Sequence, residues 1–138
     1  MIAGARTFTV PAALMDSLLT YGRSDTVHEV CGLLGGTGSR AGSFYPVRNV
    51  AADAASEFLM DPEQQIEVMR RMRESGETLV GIFHTHPDST AVPSAKDLEQ
   101  AAYPGTRYLI LSLAGRDPVL KAYYYDGQAF REELILSD

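Results

Sequence analysis

Polar and apolar residues alternate along Arg6-Thr7-Phe8-Thr9-Val10, which is the period of a short strand over residues 6–10. From Pro11 the period changes. Ala13, Leu14, Leu18 and Leu19 recur at helical spacing, Pro11 suits a first helical turn, and the helix should stop near Gly22. Residues 29–36, EVCGLLGG, are apolar and compact, and a polar glycine-containing turn leads from them to SFYPVRNV at 43–50. Together they read as two joined strands. Residues 51–58 are weakly patterned and read as a connection.

Asp61-Pro62-Glu63 opens a second helix, with an acceptor at the N-cap and Pro at the first helical position. Its buried face carries either Ile66, Met69 and Met72 or Val68 and Met72, and Gly76 is its natural stop. TLVGIFHTHP, 78–87, is a buried strand that ends on two histidines, and 88–93 is a loop. Ser94 starts a third helix over 94–103, and 106–113 is another apolar strand. VLKAYYYDGQAFREE then forms a hairpin with Asp126-Gly127 as its turn. The order β-α-β-β-α-β-α-β-β-β, without repeats or linkers, predicts one α/β domain over 1–138, a mixed sheet flanked by about three helices.

Composition narrows the function. Of 138 residues, 45% are apolar and 22% charged, the balance of a globular chain. A net charge of −6 argues against a nucleic-acid partner, which would favour a basic face. Cys31 is the single cysteine, so no internal disulfide forms. The N-terminal stretch MIAGARTFTVPAALM is broken by Arg6, Thr7, Thr9 and Pro11 and lacks a signal-peptide core. No apolar run approaches the ~20 residues of a membrane span. The expectation is a cytoplasmic protein without a membrane partner, with a homodimer as a plausible assembly.

The chemistry gathers around the third strand-to-helix passage. His84 and His86 are two apart, so a strand points both imidazoles to one face, where a single metal can take both. Asp97 follows His86 by eleven residues, across a loop and in the first turn of the next helix, and can add an oxygen ligand in a crevice at the strand end. Two histidines and one carboxylate leave a position open, as catalytic zinc sites do. Each part also has a bland reading. An isolated His-x-His is more often core or surface, Ser94-x-x-Asp97 is an ordinary helix cap, and Glu29 alone is an acid at a strand's edge.

The ordered combination is more specific. Glu29, then His84-Thr85-His86-Pro87, Pro93-Ser94 and Asp97 resemble the JAMM motif of the MPN+ zinc metallopeptidases, and EVCGLLGG around Glu29 extends the likeness. The resemblance implies an MPN fold, cytidine-deaminase-like, with one zinc held by His84, His86 and Asp97. It further implies that Glu29 shuttles the proton and that Ser94 binds the developing oxyanion. Only 54 residues separate Glu29 from His84, which leaves little room for the insertions of the longer ubiquitin-cutting members. The compact form therefore resembles the stand-alone prokaryotic members, and the implied substrate is the C-terminal tail of a ubiquitin-like β-grasp sulfur carrier. Such a tail would add to a strand edge, with Asp88–Pro93 and strand 43–50 as candidate walls. The alternatives are a non-catalytic MPN scaffold and a zinc hydrolase of another small peptide.

The remaining candidates read as structural. His28 points away from Glu29's face, and Thr85 away from the ligands. Cys31 shares Glu29's face, either near the metal as a redox-sensitive group or as a small core residue. Tyr123-Tyr124-Tyr125 reads as packing and strand surface.

Overall fold

A computed structural model describes residues 6–138. The first five residues of the stretch examined for a signal sequence lie outside the described residues, as does that part of the expected 1–138 domain. The elements follow the expected order. They are β1 (Thr7–Thr9), α1 (Ala12–Gly22), β2 (Cys31–Thr37), β3 (Arg40–Val47), α2 (Pro62–Glu74), β4 (Thr78–His86), α3 (Ala95–Gln100), β5 (Arg107–Ser112), β6 (Val119–Tyr125) and β7 (Phe130–Leu136).

The sheet is mixed and runs β1-β3-β2-β4-β5-β6-β7, closing on itself. β4 and β5 are parallel, joined through α3, and β2 pairs antiparallel with both β3 and β4. Closure is the work of β1, which lies parallel to β7 over Thr7↔Leu134 to Thr9↔Leu136 and meets β3 at Thr9↔Arg40. The alternating pattern of residues 6–10 predicts a strand and says nothing of its neighbours, so closure is a new finding.

Side-chain alternation sends successive strand residues to opposite faces. On one face, Leu34, Phe83, Leu109 and Leu111 pack against Leu14, Leu18 and Leu19 of α1. On the other, Cys31, Leu33, Ile82 and Tyr108 pack against Val68 and Met72 of α2. The α2 face is thus decided in favour of Val68 and Met72, and Ile66 is 71% exposed. Gly22 closes α1 by close approach: a Cβ there would stand 2.4 Å from Leu111 Cδ2.

Several boundaries differ from expectation: β2 and β3 cover Cys31–Thr37 and Arg40–Val47 rather than 29–36 and 43–50. α3 ends at Gln100 rather than residue 103, because the Tyr108 hydroxyl accepts from the N–H groups of Ala102 and Tyr103 and draws that segment out of the helix. The last hairpin turns over residues 126–129, with Asp126 Oδ1 accepting from Gln128 and Ala129 and Gly127 at φ 100°. No helix among the described residues is long and apolar enough to cross a membrane.

Candidate metal centre

The last residues of β4 and the first turn of α3 converge. Ile82, His84 and His86 share the α2 face of β4, while Thr85 turns to the other side. All three candidate ligands are buried, with His84 at 0%, His86 at 3% and Asp97 at 9% exposure. His84 Nε2 lies 3.1 Å from His86 Nε2 and 3.3 Å from Asp97 Oδ1, and His86 Nε2 lies 3.1 Å from Asp97 Oδ2. One donor atom from each residue fits within 4.8 Å of the others.

Local sequence fixes these orientations. Ser94 and Asp97 form a capping box: Ser94 Oγ accepts from the Asp97 N–H at 3.0 Å, and Asp97 Oδ2 accepts from the Ser94 N–H at 2.9 Å. The cap and the ligand are therefore one arrangement, and the cap aims the carboxylate. His86 Nδ1 donates to the Thr90 carbonyl at 2.8 Å. A carbonyl only accepts, so Nδ1 carries the hydrogen and a neutral ring presents a bare Nε2 to the site. Phe58 stacks on His84 with ring centroids 4.5 Å apart.

The donor set fits a cation. A bare Nε2 beside a carboxylate oxygen and a second imidazole is repulsive unless a proton or metal ion lies between them. Burial lowers the pKa of His84 and keeps that ring neutral. For His86, burial pulls the pKa down, but Asp97, the Thr90 carbonyl and Glu29 outweigh it and raise the pKa. Burial pushes the Asp97 carboxyl up, yet the two imidazoles beside it and the Ser94 N–H hold it far below the usual carboxylate range. His84 Nδ1 has no partner. His84, His86 and Asp97 have the donor types and spacing to hold a metal ion.

Glu29 lies just before β2 and is 5% exposed. The register Cys31↔His84, carried two residues further, sets it level with His86. Its Oε1 is buried without a hydrogen-bond partner. Burial pushes its pKa up; His86 opposes this, and the negative charges of Asp97, Glu57 and Asp53 add to it, giving about 7. Ser94 is exposed, its Oγ serves as the cap acceptor, and its hydroxyl hydrogen remains free to donate.

A cavity of about 420 Å³ opens on His84 and Asp97, lined mainly by Phe58, Met60, Ile82, Ala101, Tyr103 and Tyr108. Neither segment expected to wall a bound tail, 88–93 or 43–50, lines this cavity. The 88–93 loop instead packs on β5 and β6, where the Ser89 carbonyl accepts from Ser112 Oγ and the Ala91 carbonyl from the Tyr123 hydroxyl.

Cys31 is fully buried, its thiol donates to the Val47 carbonyl, and burial pushes its pKa up to about 12, which suits a core residue. His28 is exposed and paired with Asp25. Tyr123 and Tyr125 are buried packing residues. Sequence reasoning missed Phe58, whose one signal was its place in the apolar run FLM before the Asp61-Pro62 helix start. It also missed the Thr90 carbonyl, which no side-chain motif can announce.

Comparison with known proteins agrees with this architecture. Residues 11–125 match the family described as prokaryotic homologs of the JAB domain. A desampylase of Haloferax volcanii is 37% identical over 130 residues, spanning 90% of this chain and 91% of that protein. A CysO-cysteine peptidase of Mycobacterium bovis is 30% identical over 133 residues, spanning 91% and 88%. The solution structure of a Desulfitobacterium hafniense protein superposes with a TM-score of 0.84 at 34% identity, covering 95% of this chain and 92% of that one. With a buried His-His-Asp cluster at the end of β4 and a family match over most of its length, the chain belongs to the prokaryotic JAB-domain homologs, the stand-alone branch of the JAMM/MPN+ proteins.

Proposed function

We propose that this chain is a zinc-dependent peptidase that hydrolyses an amide bond at the C-terminal tail of a ubiquitin-like β-grasp sulfur-carrier protein. It is a hydrolase of peptide or isopeptide bonds, as its relatives named desampylase and CysO-cysteine peptidase indicate. The observation that carries the reading is the convergence of two imidazoles and one carboxylate on one point, level with a buried, unpartnered glutamate.

His84, His86 and Asp97 would hold one zinc per chain, the two-imidazole, one-carboxylate set that zinc accepts with a position left open. When bound, zinc supplies Lewis acidity and lowers the pKa of water. The Glu29 carboxylate takes a proton from the attacking water and returns it to the leaving nitrogen. Burial, which pushes the Glu29 pKa up from the ordinary carboxylate range, makes the group able both to take and to return a proton. The Ser94 hydroxyl donates to the oxyanion that develops on the carbonyl oxygen. Phe58 covers the His84 ring and excludes water from that side. The apolar cavity beside His84 and Asp97 seats a side chain of the bound tail.

The test is incubation of the zinc-loaded protein with a β-grasp carrier bearing a C-terminal extension, followed by product mass. Cleavage is expected from the unaltered protein, and Glu29→Gln slows it by about 10²–10⁴-fold with zinc retained. Undiminished cleavage in either Glu29→Gln or Asp97→Ala would sink the mechanism. Absence of zinc on metal analysis, with unchanged melting on chelation, would favour a scaffold.

A further inference from the structure

We propose that Asn49 is a positioning residue for Glu29, its one side-chain amide fastening the Glu29 backbone to the segment that lays Phe58 on His84. This rests on the acid/base reading of Glu29. Asn49 stands two residues after β3, half-buried. Its Nδ2 donates to the carbonyls of Glu29 at 2.8 Å and Glu57 at 3.0 Å. Its Oδ1 accepts from the N–H groups of Ala51 and Leu59, both at 3.0 Å. Two donors and two acceptor sites are all that a primary amide has, and each meets a backbone group.

Glu29 needs such a tie. It lies outside β2, so the strand ladder does not hold it. On its β4 side the next residue is secured: the Val30 N–H donates to Thr85 Oγ1 at 2.9 Å and the Thr85 N–H to the Val30 carbonyl at 3.0 Å. On the other side the Glu29 N–H donates to the Ala54 carbonyl at 2.7 Å and its carbonyl accepts from Asn49. Both of those bonds go to the 49–59 segment. With Oε1 unpartnered, the direction of the carboxylate is set from the backbone. Glu57 and Leu59 flank Phe58, so the same amide also places the ring over His84. An error of about 1 Å in such a group costs on the order of 10²-fold in rate.

Asparagine is specific here. Aspartate has the same shape and keeps the two acceptor bonds, but it has no donors and sets negative charge against two carbonyls. Asn49→Asp therefore separates holding the segment from holding Glu29, and it keeps the test available if Asn49→Ala fails to fold. Zinc content, amide exchange at Ala51 and Leu59, kcat and KM on an extended carrier are measured for each variant, alone and combined with Glu29→Gln. Expected are normal zinc content, protected amides in Asn49→Asp, a kcat lowered about 10–100-fold with little change in KM, and no further loss on the Glu29→Gln background. Unchanged kcat in Asn49→Asp, or a loss that persists in full without the Glu29 carboxylate, overturns the proposal while Glu29→Gln stays impaired. A fully active Glu29→Gln enzyme instead overturns the acid/base reading itself.

Discussion

Two buried charge clusters occupy opposite ends of neighbouring strands and are built on opposite principles. At the start of β5, Arg107 Nε donates to Glu133 Oε1 of β7 at 2.9 Å, and the guanidinium lies over the rings of Phe8 and Tyr124. At the far end of β4, Asp97 faces two imidazoles, one of which presents a bare nitrogen. The first cluster contains its own cation. The second gathers donors and contains none. A buried carboxylate is tolerated only when its charge is met, so the first meets its charge from within, although Glu133 Oε2 has no hydrogen-bond partner, and the second is met only when a proton or metal ion lies among its donors.

That contrast breaks most visibly at Asp97. Asp97→Ala removes a proposed zinc ligand and half of the capping box, and the expected outcome is abolished cleavage and loss of bound zinc by metal analysis. Arg107→Met should leave zinc content and kcat unaltered, because Arg107 touches nothing at the β4 end. It strands Glu133, and the expected cost is about 3–5 kcal/mol in urea unfolding, much of it recovered in the Arg107→Met, Glu133→Met double variant. A drop in zinc affinity in Arg107→Met would mean that the two ends are coupled.

The smallest effect is in pH. Glu29 must be ionised to take a proton, so kcat/KM should rise with pH on an acid limb that lies below about 7, because a divalent cation nearby favours the carboxylate. In the zinc-free protein the folded pKa of about 7 stands above the ordinary 4.5. The folded state then holds the proton more tightly, so this contribution to stability is full below about 4.5 and is lost as pH rises through about 7. Glu29→Gln should flatten the dependence and raise the zinc-free melting temperature above pH 7 by a few degrees, measured by thermal melts across pH. A Glu29→Gln protein that keeps the full slope would assign it to another group.

The site was legible where chemistry is carried by residue type and spacing. His84 and His86 at strand period, and Asp97 inside a recognisable cap, needed no partner to be noticed. Glu29 was legible only through its place in the ordered motif, since its burial and raised pKa come from neighbours remote in sequence. Phe58 and Asn49 were not legible: one is an aromatic in a connection and the other an asparagine after a strand, and their roles reside in contacts with His84 and Glu29.

Hydrophobic period and punctuation by themselves determined the order of elements, because the α and β periods and residues such as Pro62 and Gly76 act within a few positions. Spacing likewise placed His84, His86 and Asp97 at the end of β4 and the start of α3. Tertiary structure alone decided that β1 closes the sheet, that Val68 rather than Ile66 faces the core, that Tyr108 cuts α3 short, and that the cavity beside His84 and Asp97 is walled by 58–60 and 100–103. The reason is the same in each case: pairing edges, buried faces and backbone hydrogen bonds to distant side chains are interactions between segments, and no single segment encodes its partner.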